Sequence, residues 1–235
     1  RYSAHLAEYG ITVEIRYADF DSPASMVQQM DYLAADMVSG IIITPVDHID
    51  VVKKIAMLRD QGIAVVTIDS DIFPSARLAY VGSNSFASGQ VAGNLMTLFT
   101  RGEAEAGVLI GTKTVQNHVK RVEGFLDYLK GNAPDISVVS VAEHHDNDEE
   151  SYQKTKYMLE EYPEIDALFL AAAGIQGSCE AVLEQKKESP MIIISFDTAP
   201  FTKEMLKKGI ISATLGQQPE VQAKQALNIL LDYLG

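Results

Sequence analysis

The stretch GIIITPVDHIDVVKKIAMLRDQGIAVVTID, Gly40–Asp69, holds two short apolar runs, Ile41–Thr44 and Ile63–Ile68, with one amphipathic segment between them, Asp50–Gln61. A run with almost no polar residue suits a strand covered on both faces, and such strands belong to parallel sheets whose neighbours are joined by helical crossovers. The unit recurs along the chain. Further apolar runs lie at Leu78–Val81, Ala106–Ile110, Ile136–Ala142, Asp166–Ala171, Met191–Phe196 and Ile210–Leu215. Helical spacing marks Ser85–Phe99, His118–Lys130, Glu149–Tyr162, Ile175–Lys187 and Thr202–Lys208. Strand and helix alternating across most of the chain predict a doubly wound α/β fold. The loop Ser70–Arg77 breaks the rhythm, because two strands follow each other there without a helix, and it is expected to be a crossover.

Upstream, Ile11, Val13, Ile15 and Tyr17 alternate with Thr12, Glu14 and Arg16, the period-2 pattern of a strand with unlike faces. Ser22 and Pro23 then open a helix carrying Met26, Val27, Met30, Leu33, Ala34, Met37 and Val38 at helical spacing, with Gly40 as its expected stop. Arg1–Tyr9 reads as the later turns of a helix ended by Gly10, so a preceding segment is expected.

With 235 residues, 47% hydrophobic and 22% charged, the composition is that of a globular protein of one generous domain or two small lobes. The 32 acidic against 19 basic residues leave a net charge of −13, which repels a phosphate backbone, so these residues alone are not expected to bind DNA. Cys179 is the single cysteine, which excludes an internal disulfide. It is expected in the core, as are Met26, Met30 and Met37. Gly82, Gly89 and Gly93 lack dinucleotide-fingerprint spacing, and neither a phosphate-binding GxxxxGK[ST] nor a GxSxG elbow occurs. No enzyme activity, cofactor or metal is therefore expected. In EHHDNDEE, Glu143–Glu150, Asn147 with Glu150 reads as a capping box rather than a metal site.

In open parallel sheets ligands bind beyond the carboxyl ends of the strands, and Asp19, Asp47, Asp69 and Asp197 occupy those positions. Aspartate also caps helices. Asp50, however, is the better cap for the helix after Asp47, Thr198 or Ala199-Pro200 can start the helix after Asp197, and Asp69 precedes a loop. Freed from capping, an ionised aspartate accepts two hydrogen bonds in fork geometry and suits adjacent hydroxyls of a sugar or polyol. Arg121 is placed in the first turn of the helix after Ala106–Ile110, where a cation opposes the helix dipole; it serves a ligand, pairs with Glu123 or is an ordinary solvated arginine.

The segments GIIITPVD (Gly40–Asp47), GIAVVTID (Gly62–Asp69), YVGSNSFASGQVAGNLM (Tyr80–Met96), NHVKRVEGF (Asn117–Phe125), IIISFDTAP (Ile192–Pro200) and ISATLGQQP (Ile211–Pro219) occur in this order. Together they resemble the ligand-binding core shared by lactose-repressor (LacI) family regulators and type I periplasmic sugar-binding proteins. The resemblance implies two doubly wound parallel-sheet lobes joined by hinge strands, one of residues 1–83 plus 218–235 and one of residues 84–217, with crossings near Ser83-Asn84 and Gln217-Gln218. It further implies a small molecule, a carbohydrate or related polyol, held in the cleft by Asp69, Arg121, Asp197 and Gln217. Asp47 joins them as a strand-end acid, and His118 is a candidate for lining the cleft, with His144 and His145 at its rim. Relative to the family pattern the opening strand and the closing one are absent, and the loop after the opening strand normally supplies ligand contacts. Many relatives place an Asn-Asp pair where AAAGIQG (Ala171–Gly177) has Ala172 and Ala173, so one polar contact is expected to be missing.

The histidine and arginine around NHVKRVEGF favour the effector-binding core of a LacI-type regulator: cytoplasmic, homodimeric through both lobes, without membrane contact, and reaching DNA only through a helix-turn-helix module upstream of Arg1. The alternative is an extracytoplasmic sugar-binding protein of an ABC transporter.

Overall fold

The computed structural model describes residues 10–185 and 190–235. The helix expected over Arg1–Tyr9 and the last two residues of that over Ile175–Lys187 lie outside them. The strands form two parallel sheets. In the smaller, β1 (Gly40–Ile43), β2 (Ala64–Ile68) and β3 (Ala79–Val81) lie in the order β1-β2-β3. In the larger, β4 (Ala104–Ile110), β5 (Ile136–Glu143), β6 (Ala167–Leu170), β7 (Ile192–Phe196) and β8 (Ala213–Leu215) lie in the order β5-β4-β6-β7-β8. The helices before, between and after them are α1 (Pro23–Ala35), α2 (Ile49–Asp60), α3 (Ser85–Thr100), α4 (Gln116–Asn132), α5 (Asp148–Glu161), α6 (Ile175–Gln185), α7 (Pro200–Lys207) and α8 (Pro219–Leu234).

Both faces of each sheet are covered, which is why the strands read as unbroken apolar runs. On the small sheet, Ile41 and Val65 pack with Met26, Met30, Val51, Ile55 and Leu58 of α1 and α2. Its opposite face sets Ala64, Val66 and Val81 against Ala226 and Leu230 of α8. Within β4 the faces alternate residue by residue: Val108 and Ile110 meet Met96 of α3 and Phe125 of α4, whereas Leu109 meets Met158 of α5 and Cys179 of α6. Two glycines set how closely α3 and α4 approach. A Cβ on Gly89 would lie 2.0 Å from the Arg121 carbonyl oxygen, and one on Gly124 would lie 2.0 Å from that of Phe86. Gly89 of α3 and Gly124 of α4 thus serve helix packing.

Four local expectations change. Residues 11–19 form no strand, although they alternate as predicted, and Val13, Ile15 and Tyr17 are exposed. A strand exists only through a ladder partner, and none of the described residues pairs with this segment. Helix α1 ends at Ala35, not Gly40, with Met37 in a left-handed conformation (φ 55°) and 87% exposed rather than in the core. Gly40 is needed for a different reason, since its Cβ would sit 2.6 Å from Leu230 Cδ1 of α8. His48 caps α2 by accepting the Asp50 N–H, which leaves Asp50 inside the first turn. Asn147 caps α5 as expected, accepting the Glu150 N–H, but the Glu150 carboxylate turns to His145 and does not close the box.

Candidate functional site

Asp69 directly follows β2 and Asp197 directly follows β7, and both are left-handed, with φ of 61° and 67°. Aspartate tolerates this region better than most side chains. Each is pinned by its neighbouring strand. The Asp69 N–H donates to Val81 O (3.0 Å) and the Asp197 N–H to Leu215 O (2.8 Å). The Asp69 carbonyl accepts from Tyr80 Oη (2.9 Å) and the Asp197 carbonyl from Thr214 Oγ1 (2.7 Å). Sharp turns at the strand ends thereby project both carboxylates away from the sheets' cores.

The two acids are linked through α4. Gln217 Nε2 donates to Asp197 Oδ1 (2.8 Å), and Gln217 Oε1 accepts from Arg121 Nη2. Arg121 Nη1 donates to Ala171 O at the end of β6 (2.9 Å), and Nη2 stands 4.0 Å from Asp69 Oδ1. Asp69 Oδ2 accepts from Asn117 Nδ2 (2.7 Å). Arg121 is 2% exposed, its guanidinium lying 4.2 Å over the Phe196 ring, and its Nε and the Asn117 Oδ1 are buried without a partner. Such orphan polar atoms are uncommon in folded proteins and mark places where a polar ligand can complete the bonding.

The charges are unbalanced. Burial lowers the Arg121 pKa, and the charges of the Asp69, Asp197 and Asp146 carboxylates oppose that shift, so three acids act on one guanidinium. Burial raises the Asp69 carboxyl, Arg121 pulls it back, and the nearby Asp197 charge raises it again. An anionic ligand meets net repulsion here, whereas a neutral polyol finds acceptors and donors together.

Arg121 is the sixth residue of α4 and so lies in its second turn, not the first, because the helix begins at Gln116. Its position therefore opposes the helix dipole little. Glu123 pairs with Lys120 (2.6 Å), so the alternative partner for Arg121 is already taken. Asp47 stands apart from the Arg121 chain: its N–H donates to Thr114 O (2.7 Å) and its exposed carboxylate accepts from Gln116 Nε2, tying the end of β1 to the start of α4. Asp19 takes the ordinary turn role, accepting the Asp21 N–H.

His118 is buried outside that chain, with Nδ1 accepting the Thr112 N–H (3.1 Å) and Nε2 standing 3.9 Å from Asp146 Oδ2. Burial, opposed by Asp146, takes its pKa down to about 4. His144 is 1% exposed, with an unpartnered Nδ1, whereas His145 is exposed and bound to Glu150. Sequence reasoning missed Asn117 and Asp146. Asn117 adjoins His118 inside the motif already singled out, and Asp146 sits in the acidic loop directly after β5. At Ala172 and Ala173 no polar side chain is present, and the Ala173 N–H instead donates to Asp146 Oδ1 (3.1 Å).

A family model described as periplasmic binding protein domain matches residues 3–235. The D-ribose/D-allose-binding protein of Pseudomonas aeruginosa is 25% identical over 216 residues, covering 89% of this chain and 66% of its own length. The chain thus spans just under two thirds of that curated relative. Among solved structures, GanP, a glucose-galactose binding protein from Geobacillus stearothermophilus, is 29% identical with a TM-score of 0.89, over 98% of this chain and 82% of that one. XylFII is 31% identical with a TM-score of 0.90, over 99% and 86%. The D-ribose/D-allose-binding protein and GanP are sugar-binding proteins, and curated matches further include ribose import binding proteins, so the comparisons back the transport alternative better than a homodimeric DNA-linked regulator. The histidine and arginine of α4 do not discriminate the two, because both are engaged within this chain, Arg121 with Ala171 O and Gln217 and His118 with the Thr112 N–H.

Proposed function

The chain belongs to the periplasmic binding protein domain family, and from that premise we propose that it is a receptor for a neutral sugar or polyol that serves an uptake system. The ligand sits between a lobe of residues 1–83 plus 218–235 and a lobe of residues 84–217. The observation that carries this reading is the chain of bonds from Asp197 through Gln217 and Arg121 to Asp69 and Asn117, which sets acceptors and donors of both sheets around one point. Sugar-binding relatives support the ligand class, and the excess of carboxylates over cations favours an uncharged ligand over a sugar phosphate.

Asp69, Asp197 and the unpartnered Asn117 Oδ1 accept from ligand hydroxyls, Arg121 donates to ring or hydroxyl oxygens, and Phe196 holds the guanidinium flat. A ligand that contacts both lobes favours the closed arrangement by its differential affinity, and a transport partner reads that population. Titration calorimetry with D-ribose, D-allose, D-arabinose, D-glucose, D-galactose and myo-inositol tests the reading. Saturable binding of at least one is expected. Heats indistinguishable from dilution for all six overturn it.

A further inference from the structure

We propose that His118 and Asp146 form a donor–acceptor pair that grips one further hydroxyl of the sugar, an inference that rests on the sugar-receptor reading above. The Thr112 N–H donates to His118 Nδ1, so in the neutral ring the proton must sit on Nε2. The imidazole stays neutral at ordinary pH because burial holds its pKa near 4. Nε2–H is therefore a fixed donor, and it has no hydrogen-bond partner among the described residues although the side chain is only 10% exposed.

What it faces is Asp146 Oδ2, 3.9 Å away, beyond hydrogen-bond distance but suited to a hydroxyl bonded to both. Such a hydroxyl accepts from Nε2–H and donates to the carboxylate. Oδ1 of the same carboxylate is held by the Ala173 N–H, which orients Oδ2. The space is kept open by glycine: a Cβ on Gly111 would lie 2.4 Å from Asp146 Oδ1 and 2.7 Å from His118 Cε1. On the far side Gly174 admits His144, whose ring its Cβ would approach to 2.8 Å. The pair neighbours the Arg121 chain: His118 adjoins Asn117 on α4, whose side chain bonds Asp69, and the Asp146 charge acts on both Asp69 and Arg121. Ala172 and Ala173 offer no polar side chain on this side, so the pair supplies the polar contact there.

The test uses the chain with whichever of the six sugars binds, together with its monodeoxy isomers, in wild type, Asp146→Asn, Asp146→Ala and His118→Phe. Asp146→Asn keeps an oxygen for the Ala173 N–H and the shape of the side chain, so it remains informative where the buried His118→Phe does not fold. Asp146→Ala is expected to weaken the parent sugar at least about tenfold, as for a lost hydrogen bond to a charged group. One deoxy isomer should bind wild type and Asp146→Ala equally, because it lacks the hydroxyl that the pair holds. Asp146→Asn should fall between them. Unchanged affinity in both Asp146 variants, or an equal loss for the parent and every deoxy isomer, overturns the inference while leaving the receptor reading intact. Absence of binding by wild type to all six sugars overturns both.

Discussion

The ends of β2 and β7 are built on one plan and used differently. Asp69 and Asp197 share a left-handed backbone, an N–H bonded to the last residue of the next strand, and a carbonyl bonded to the hydroxyl of the residue before it, Tyr80 or Thr214. Their carboxylates then diverge. Asp197 is met by Gln217, 20 residues along the chain, whereas Asp69 is met by Asn117, 48 residues away on a helix of the other sheet. Backbone geometry thus sets where each acid points, and the partner decides whether it joins the two sheets. Non-glycine residues held at positive φ carry a strain that persists only where the surroundings enforce it, and both sites supply that enforcement twice over.

Arg121 is the group common to both ends, so its removal is expected to have the largest effect. Arg121→Ala leaves Asp69, Asp146 and Asp197 without their shared cation and strips donors from Ala171 O and Gln217. Loss of one partner from a buried charged set costs about 3–5 kcal/mol, measurable by urea unfolding, and sugar binding should fall at least about a hundredfold. Arg121→Lys should rescue little, because an ammonium cannot reach both oxygens and stack on Phe196 at once. A variant that binds sugar as well as wild type would show that the two strand ends work independently.

The next effect separates the two acids. Asp197→Ala and Asp69→Ala should each weaken the sugar at least about tenfold by calorimetry. Asp69→Ala alone should also loosen the link between sheets, seen as faster hydrogen exchange at the start of α4, since it removes the Asn117 acceptor. Equal exchange in both variants would erase the distinction between them.

The contrast also explains what was legible in the sequence and what was not. Strands buried on both faces declare themselves by composition, so every described strand lies within or beside an apolar run, even though bounds moved by a few residues. Residues 11–19 show the limit of pattern: alternation describes faces but cannot provide a neighbour to bond with. Asp69 and Asp197 were visible because turn chemistry left them without a helix to cap, and Gln217 and Arg121 because they sit in motifs. Asn117 and Asp146 were not, since their significance arises from contacts 48 and 27 residues distant, to Asp69 and Ala173, that no local rule encodes.

A smaller effect comes from pH. The Asp69 pKa is raised from 3.8 chiefly by burial, so the folded state favours its protonated form. Its contribution to stability is fully present below pH 3.8 and is lost as pH rises through the folded value. Asp69→Asn removes that loss. In urea unfolding at a series of pH values from 3 upward, the variant should gain on wild type as pH rises, while its sugar binding falls. A variant that loses ground over the same range would place Asp69 in a net stabilising ion pair with Arg121 instead.

The smallest effect probes the hydroxyl tethers that the two ends share. Tyr80 Oη lies within hydrogen-bond distance of two carbonyls, Asp69 O at 2.9 Å and Ser83 O at 3.1 Å, whereas Thr214 Oγ1 bonds Asp197 O alone. Burial first, and the neighbouring Asp69 charge after it, push the Tyr80 hydroxyl up to about 12, so it remains a donor throughout the working range. Tyr80→Phe and Thr214→Val each remove one donor and should cost about 0.5–1.5 kcal/mol, with Tyr80→Phe the larger because two carbonyls lose a shared partner. Affinity should change less than about threefold in either, since the Val81 and Leu215 carbonyls still hold the aspartate N–H groups. If Thr214→Val proves the costlier, the single short bond at Asp197 holds its strand end more firmly than the shared proton does at Asp69, and the left-handed turn of β2 rests on its backbone bond to β3.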